Sequence, residues 1–208
     1  CYARNMAIRF GGFDGYGCEE DFANERINAP FVLCTLHDLK EPAYIRRGKE
    51  QKIFKAAFPF GFEPTILRYR LDEPKRMKKP STIFVGSMTD LFGEWVPQEW
   101  ISSVFAACEA APWHRYLFLT KNPGRYSQLI SAGILPLREN FWYGFSAENE
   151  MVARARLDTM PWKHGYNVSL HKEEENFALN TFMSLEPLQS GINMSGLSEK
   201  LVTYPQWV

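Results

Sequence analysis

The stretch STIFVGSMTDLFGEWVPQEWISSVFAACEAAPWHRYLFLT, residues 81–120, decides the fold. It opens on Ser81-Thr-Ile-Phe-Val85, a compact β-branched run bounded by Pro80 and Gly86, which reads as a strand. From Pro97 to Cys108 the pattern changes period. Pro97 suits a first helical turn, and Trp100, Ile101, Val104, Phe105 and Cys108 form one apolar stripe. Arg115-Tyr-Leu-Phe-Leu119 is a second apolar strand. The same alternation continues downstream. A helix is predicted over 124–132 and closed by Gly133, a strand over Phe141-Trp-Tyr-Gly-Phe145, a helix over 150–160 ended by Pro161, and a strand over Thr181-Phe-Met-Ser-Leu185. Strands alternating with helices imply crossover connections and a parallel sheet. Near-continuous apolar strands imply that both sheet faces are covered. The chain holds neither G-x-G-x-x-G nor G-x-x-x-x-G-K-[ST], which lowers the odds of a Rossmann or P-loop fold. The expected class is therefore α/β, as a partial (β/α) barrel, with a doubly wound sheet as the second choice.

Upstream the pattern loosens. Thr65-Ile-Leu-Arg-Tyr69 reads as a short strand and 71–77 as a short helix. Residues 1–10 suit a helix ended by Gly11-Gly12. The segment at about 11–62 mixes glycines, aromatics and charges, with a Lys/Arg-rich helix allowed over 41–57, and reads as an irregular insertion. The whole is expected to be one domain, 1–208. The start on Cys1 and the stop at Tyr204-Pro-Gln-Trp-Val208 read as cuts, giving a barrel truncated at both ends.

Composition narrows the function. Of 208 residues 45% are hydrophobic, enough for a real core. Lys+Arg and Asp+Glu both number 24, so the chain lacks the overall basic charge of a dedicated phosphate binder, although a local basic groove is compatible with it. No apolar run is long enough to cross a membrane. Cys1, Cys18, Cys34 and Cys108 form no C-x-x-C pair and no zinc spacing, and such sparse usage suits reduced thiols in a cytoplasm. The four histidines are scattered.

In a barrel the carboxyl ends of the strands share one mouth. Four strand ends here carry polar groups: Gly86-Ser-Met-Thr-Asp90, Thr120-Lys-Asn122, Ser146-Ala-Glu-Asn149 and Ser184-Leu-Glu-Pro187. Singly, such residues usually cap the next helix, and Asp90 and Asn149 can do only that. Their four-fold recurrence favours a common pocket. Lys121 can reach a ligand carboxylate or phosphate, or pair with Asp90 or Glu148. Phe92 and Trp95 can wall the pocket or plug the following helix onto the sheet.

Cys1-Tyr-Ala3 resembles the last third of the C-x-x-x-C-x-x-C loop of radical S-adenosylmethionine enzymes. Gly86-Ser-Met-Thr-Asp-Leu-Phe-Gly-Glu-Trp-Val-Pro97, Leu119-Thr-Lys-Asn-Pro123 and Ser184-Leu-Glu-Pro-Leu188 resemble a phage- and plasmid-borne, radical-SAM-like family of unknown function, some members of which accompany a small protein with a three-cysteine motif. That family is more distantly similar to the spore photoproduct lyase branch. The resemblance covers roughly residues 1–10 and 63–192. It implies a barrel of radical SAM type, a 4Fe-4S cluster whose three thiolates leave one iron open, and S-adenosylmethionine bound there and split to a 5′-deoxyadenosyl radical. By resemblance Cys1 is a cluster ligand and Tyr2 packs beside it, while Ser87, Thr89, Asp90, Thr120, Lys121, Ser146, Glu148 and Glu186 line the cofactor and substrate cavity. Two of the three cluster cysteines are absent from this chain, so neither cofactor is expected to bind it stably as it stands. Three functions compete: a radical enzyme modifying a peptide or protein partner, a radical lyase or repair enzyme on nucleic acid, and a non-catalytic phage binding module on a barrel scaffold.

Overall fold

The computed structural model describes residues 35–47, 52–61, 63–161, 180–186 and 189–193. The expected helix at 1–10, with Cys1 and Tyr2, lies outside these residues. The chain packs as two compact units, 1–71 and 72–208.

In the first unit, β1 (His37–Leu39) pairs in parallel with β4 (Thr65–Leu67), which runs on into a 3-10 turn at Arg68–Arg70. Arg68 Nε donates to both oxygens of Asp38, at 2.8 and 2.9 Å, and ties the two strand ends together. The helix allowed over 41–57 is not formed. In its place β2 (Tyr44–Arg47) and β3 (Lys52–Lys55) make an antiparallel hairpin. The physical reason is visible in the residues. Gly48 costs a helix interior about 1 kcal/mol relative to Ala, and Tyr44, Ile45, Ile53 and Phe54 are strand formers.

In the second unit, a single turn α1 (Glu73–Arg76) precedes four parallel strands, β5 (Thr82–Val85), β6 (Arg115–Thr120), β7 (Phe141–Ser146) and β8 (Asn180–Ser184). They are hydrogen-bonded in sequence order, β5-β6-β7-β8. Helices α2 (Gln98–Glu109) and α3 (Gly124–Ser131) fill the first two crossovers, and α4 (Glu150–Thr159) follows β7. The fold is mixed α/β with parallel sheets. Among the described residues no barrel closes, since the strands form three separate sheets.

Strand alternation gives the sheet two unlike faces. Tyr116, Phe118, Phe141, Tyr143, Phe145 and Met183 share one face and a single core with Ile101 and Phe105 of α2, Tyr126 and Leu129 of α3, and Ala153 and Leu157 of α4. All three helices thus cover the same face. The rings there meet edge-on or offset, as Phe105 and Phe118 do at 5.2 Å and 70°. The buried tyrosines keep partners for their hydroxyls: Tyr116 donates to Ala111 O at 2.9 Å, Tyr126 to Gly144 O at 2.9 Å and Tyr143 to Pro136 O at 2.6 Å. On the other face Leu117, Trp142 and Phe182 form a small buried cluster flanked by Leu119. Gly144 is required there, because a Cβ would lie 2.6 Å from the Phe182 ring that crosses it. His114, one of the four histidines, is a buried structural link: its Nδ1 accepts from Ser81 N and its Nε2 donates to Pro74 O. No helix among the described residues is long and apolar enough to cross a membrane.

Candidate functional site

Because β5 to β8 are parallel neighbours, their carboxyl ends fall along one edge, with Ser146 directly opposite Ser184. The polar residues predicted from sequence lie along that edge in two groups of different character.

The first group is a clip between the β5–α2 and β6–α3 loops. Gly86, at φ +66°, turns the chain out of β5, and Thr89 N donates back to Gly86 O at 2.8 Å. A Cβ at Gly86 would sit 2.8 Å from Thr89 Oγ1. Asp90 then accepts from three protein donors: Thr120 Oγ1 at 2.7 Å, Lys121 N at 2.9 Å and Phe92 N at 3.1 Å. Thr120, buried, also accepts from Asn122 N at 2.9 Å, and Asn122 Nδ2 reaches Phe92 O at 3.2 Å. Asp90 and Thr120 therefore join loops. Phe92 is fully buried in the core and Trp95 is exposed, so Phe92 plugs the helix and does not wall a pocket. Ser87 and Thr89 are exposed on the turn, and the Thr89 hydroxyl donates to Gly86 O at 3.3 Å.

The second group is charged. Glu148 Oε1 lies 3.3 Å from Lys121 Nζ, and its Oε2 lies 3.0 Å from Arg156 Nη1. The same Arg156 nitrogen donates to Ser146 O at 2.7 Å. Burial pushes the Glu148 carboxyl up, but Arg156 and Lys121 outweigh it and hold the group below its ordinary value. The Lys121 side chain is 62% exposed, whereas Glu148 and Arg156 are 14% and 19% exposed. A ligand can thus reach the ammonium first. Ser184 Oγ donates to the exposed Glu186 at 2.6 Å. Asn149 caps α4 through Val152 N at 3.0 Å, as the capping reading expected. Arg156 was not singled out from the sequence. The signal was its position seven residues after that cap, two turns along the same side of the helix.

Cys108 is the one cysteine among the described residues. It sits in the helix-face core, and its thiol is pushed up to about 12 by burial and by Glu109. Buried in apolar surroundings, it has the setting of a structural thiol. Among the described residues no group of three or more His, Cys, Asp or Glu side chains could hold a metal ion.

A family model described as "Protein of unknown function (DUF5131)" matches residues 1–204. The chain belongs to the DUF5131 family. No curated protein and no solved structure matches it. Within this DUF5131 chain, then, the chemistry of the strand edge has to be read from its own groups: one carboxylate held ionised between two cations, two facing hydroxyls, and a second carboxylate in solvent.

Proposed function

We propose that the protein is a radical S-adenosylmethionine enzyme whose cofactor sits at the carboxyl edge of β5 to β8. The supporting observation is the Lys121–Glu148–Arg156 cluster beside Ser146 and Ser184, on a sheet whose strands follow one another in sequence order with α2, α3 and α4 on one face. That pattern is what successive strands of a barrel wall require. S-adenosylmethionine carries an ammonium, a sulfonium and a carboxylate. An edge offering Lys121 to the carboxylate and Glu148 and Glu186 to the cations matches it in sign. The resemblance of Cys1-Tyr-Ala3 to the end of a cluster loop adds the iron–sulfur component, with Cys1 as one thiolate. When bound, that cluster supplies the electron that splits a carbon–sulfur bond of the cofactor. Asp90 and Thr120 hold the two loops that carry Lys121, and Arg156 orients Glu148.

The test is anaerobic iron–sulfur reconstitution of the complete protein followed by assay for 5′-deoxyadenosine. Release of that product, with Glu148→Gln weakening S-adenosylmethionine binding by calorimetry, supports the proposal. A folded protein that takes up no iron overturns it. The substrate class, a peptide partner or a nucleic acid, is separate from the cofactor, and the surface of the first unit favours the second.

A further inference from the structure

The β2–β3 hairpin presents a face with nothing of its own strands buried. Directly opposed residues of an antiparallel pair point the same way. Tyr44 opposes Lys55, and Arg46 opposes Ile53. All four are exposed, Tyr44 at 63% and Ile53 at 64%. On the reverse face Ile45 opposes Phe54, itself 47% exposed, with the exposed Lys52 further along. The strands hold no acidic residue, in a chain whose acidic and basic side chains are equal in number. Each apolar side chain on the open face is therefore set against a cation. Tyr and Arg are common in protein-docking patches, but lysine is depleted there, and Lys55 lies on this face opposite Tyr44. Lys55 also lies over the Tyr69 ring at 4.2 Å, which keeps a cation and a second ring together at the hairpin base.

We infer that this hairpin is a binding surface for single-stranded nucleic acid. On the open face Arg46 and Lys55 answer the phosphate chain, and exposed Tyr44 offers a flat face on which a base stacks. A duplex hides its base faces, so the aromatic half of the surface selects an unpaired strand. Four residues of strand span roughly 10–13 Å, room for only a few nucleotides. The inference stands on this surface and not on the cofactor reading, so either can fail alone.

The experiment is fluorescence anisotropy of the full chain with labelled oligothymidylate at low salt. Saturable binding is expected, and Arg46→Glu with Lys55→Glu should weaken it at least about tenfold and flatten its salt dependence. Tyr44→Ala should weaken it by about five- to tenfold, whereas Phe54→Ala, on the reverse face, should leave it within about twofold. Lys75→Glu with Lys78→Glu, on the exposed basic run of the other unit, should leave affinity within about twofold if only the hairpin binds the strand. Circular dichroism checks each fold, and Arg46→Gln carries the charge test if the double variant unfolds. Absence of saturable binding overturns the inference. So does an equal loss from the Lys75/Lys78 variant, equal affinity for a duplex, or binding to phosphatidylserine vesicles without binding to the oligonucleotide.

Discussion

The two faces of the β5–β8 sheet share a backbone and differ in almost everything else. The helix face is closed by rings: Phe92, Phe105, Phe118, Tyr126, Phe141 and Tyr143 are linked, ring to ring, in a continuous aromatic array. Among the described residues the opposite face buries Leu117, Trp142 and Phe182, flanked by Leu119, and passes at its carboxyl end to Ser146 and Ser184. The first face is where stability is concentrated. The second is a small buried apolar cluster that gives way to polar groups at its carboxyl end.

The largest expected effect tests the first face. Phe105→Ala removes a ring from the middle of the aromatic array and should cost about 3–5 kcal/mol, read as a lower denaturant midpoint at unchanged slope. If it costs no more than a surface substitution, the contrast between the faces is wrong. Asp90→Ala should cost about 1.5–3 kcal/mol, because it leaves the Thr120 hydroxyl and two backbone N–H groups without their acceptor. Asp90→Asn, which keeps an acceptor oxygen, should cost less, and the pair separates a loop clip from a ligand contact. On the second face Gly144→Ala should cost about 1–3 kcal/mol by overpacking. Phe182→Leu in the same chain should recover part of that, as measured by a thermal melt. Asn149→Ala should cost about 1 kcal/mol through loss of the α4 cap, with no change in ligand binding.

The smallest effect is a dependence on pH. The Glu148 carboxyl lies below its ordinary value of 4.5 in the folded chain. Its contribution to stability is therefore fully present above that value and is lost as the pH falls through the lowered folded value. Glu148→Gln should flatten the acid limb of a stability–pH profile below about 4.3 and leave the neutral region level. An unchanged acid limb would mean that Lys121 and Arg156 do not hold the carboxylate.

The second unit was legible in the sequence because each element there carries its own signal. The expected strands at 81–85, 115–119, 141–145 and 181–185 differ from the observed ones by a residue at most at either end. Buried parallel strands are uninterrupted apolar runs, and helices between them change the period. The helix over 150–160 is found at Glu150–Thr159 behind the predicted cap. In the first unit the signal was ambiguous. An exposed two-stranded hairpin buries too little to impose alternation, so charge content suggested a helix where Tyr44, Ile45, Ile53 and Phe54 form strands. The strand edge was legible in position, but not the contacts its residues make. Sequence spacing brings Asp90, Thr120, Lys121, Ser146, Glu148 and Glu186 to one edge. It cannot say that the Asp90 oxygens accept from loop donors, or that Arg156, on the following helix, joins Glu148.

Lys121 is anchored and mobile at once. Its main-chain N–H is fixed to Asp90, while its long side chain ends in solvent against Glu148. Capturing an anion with this ammonium asks for a change of side-chain rotamer and leaves the loop as it is. The ordering entropy is confined to one flexible stem, roughly 0.5–1.5 kcal/mol, and the switch of partners runs at the speed of rotamer hopping, not of loop closure.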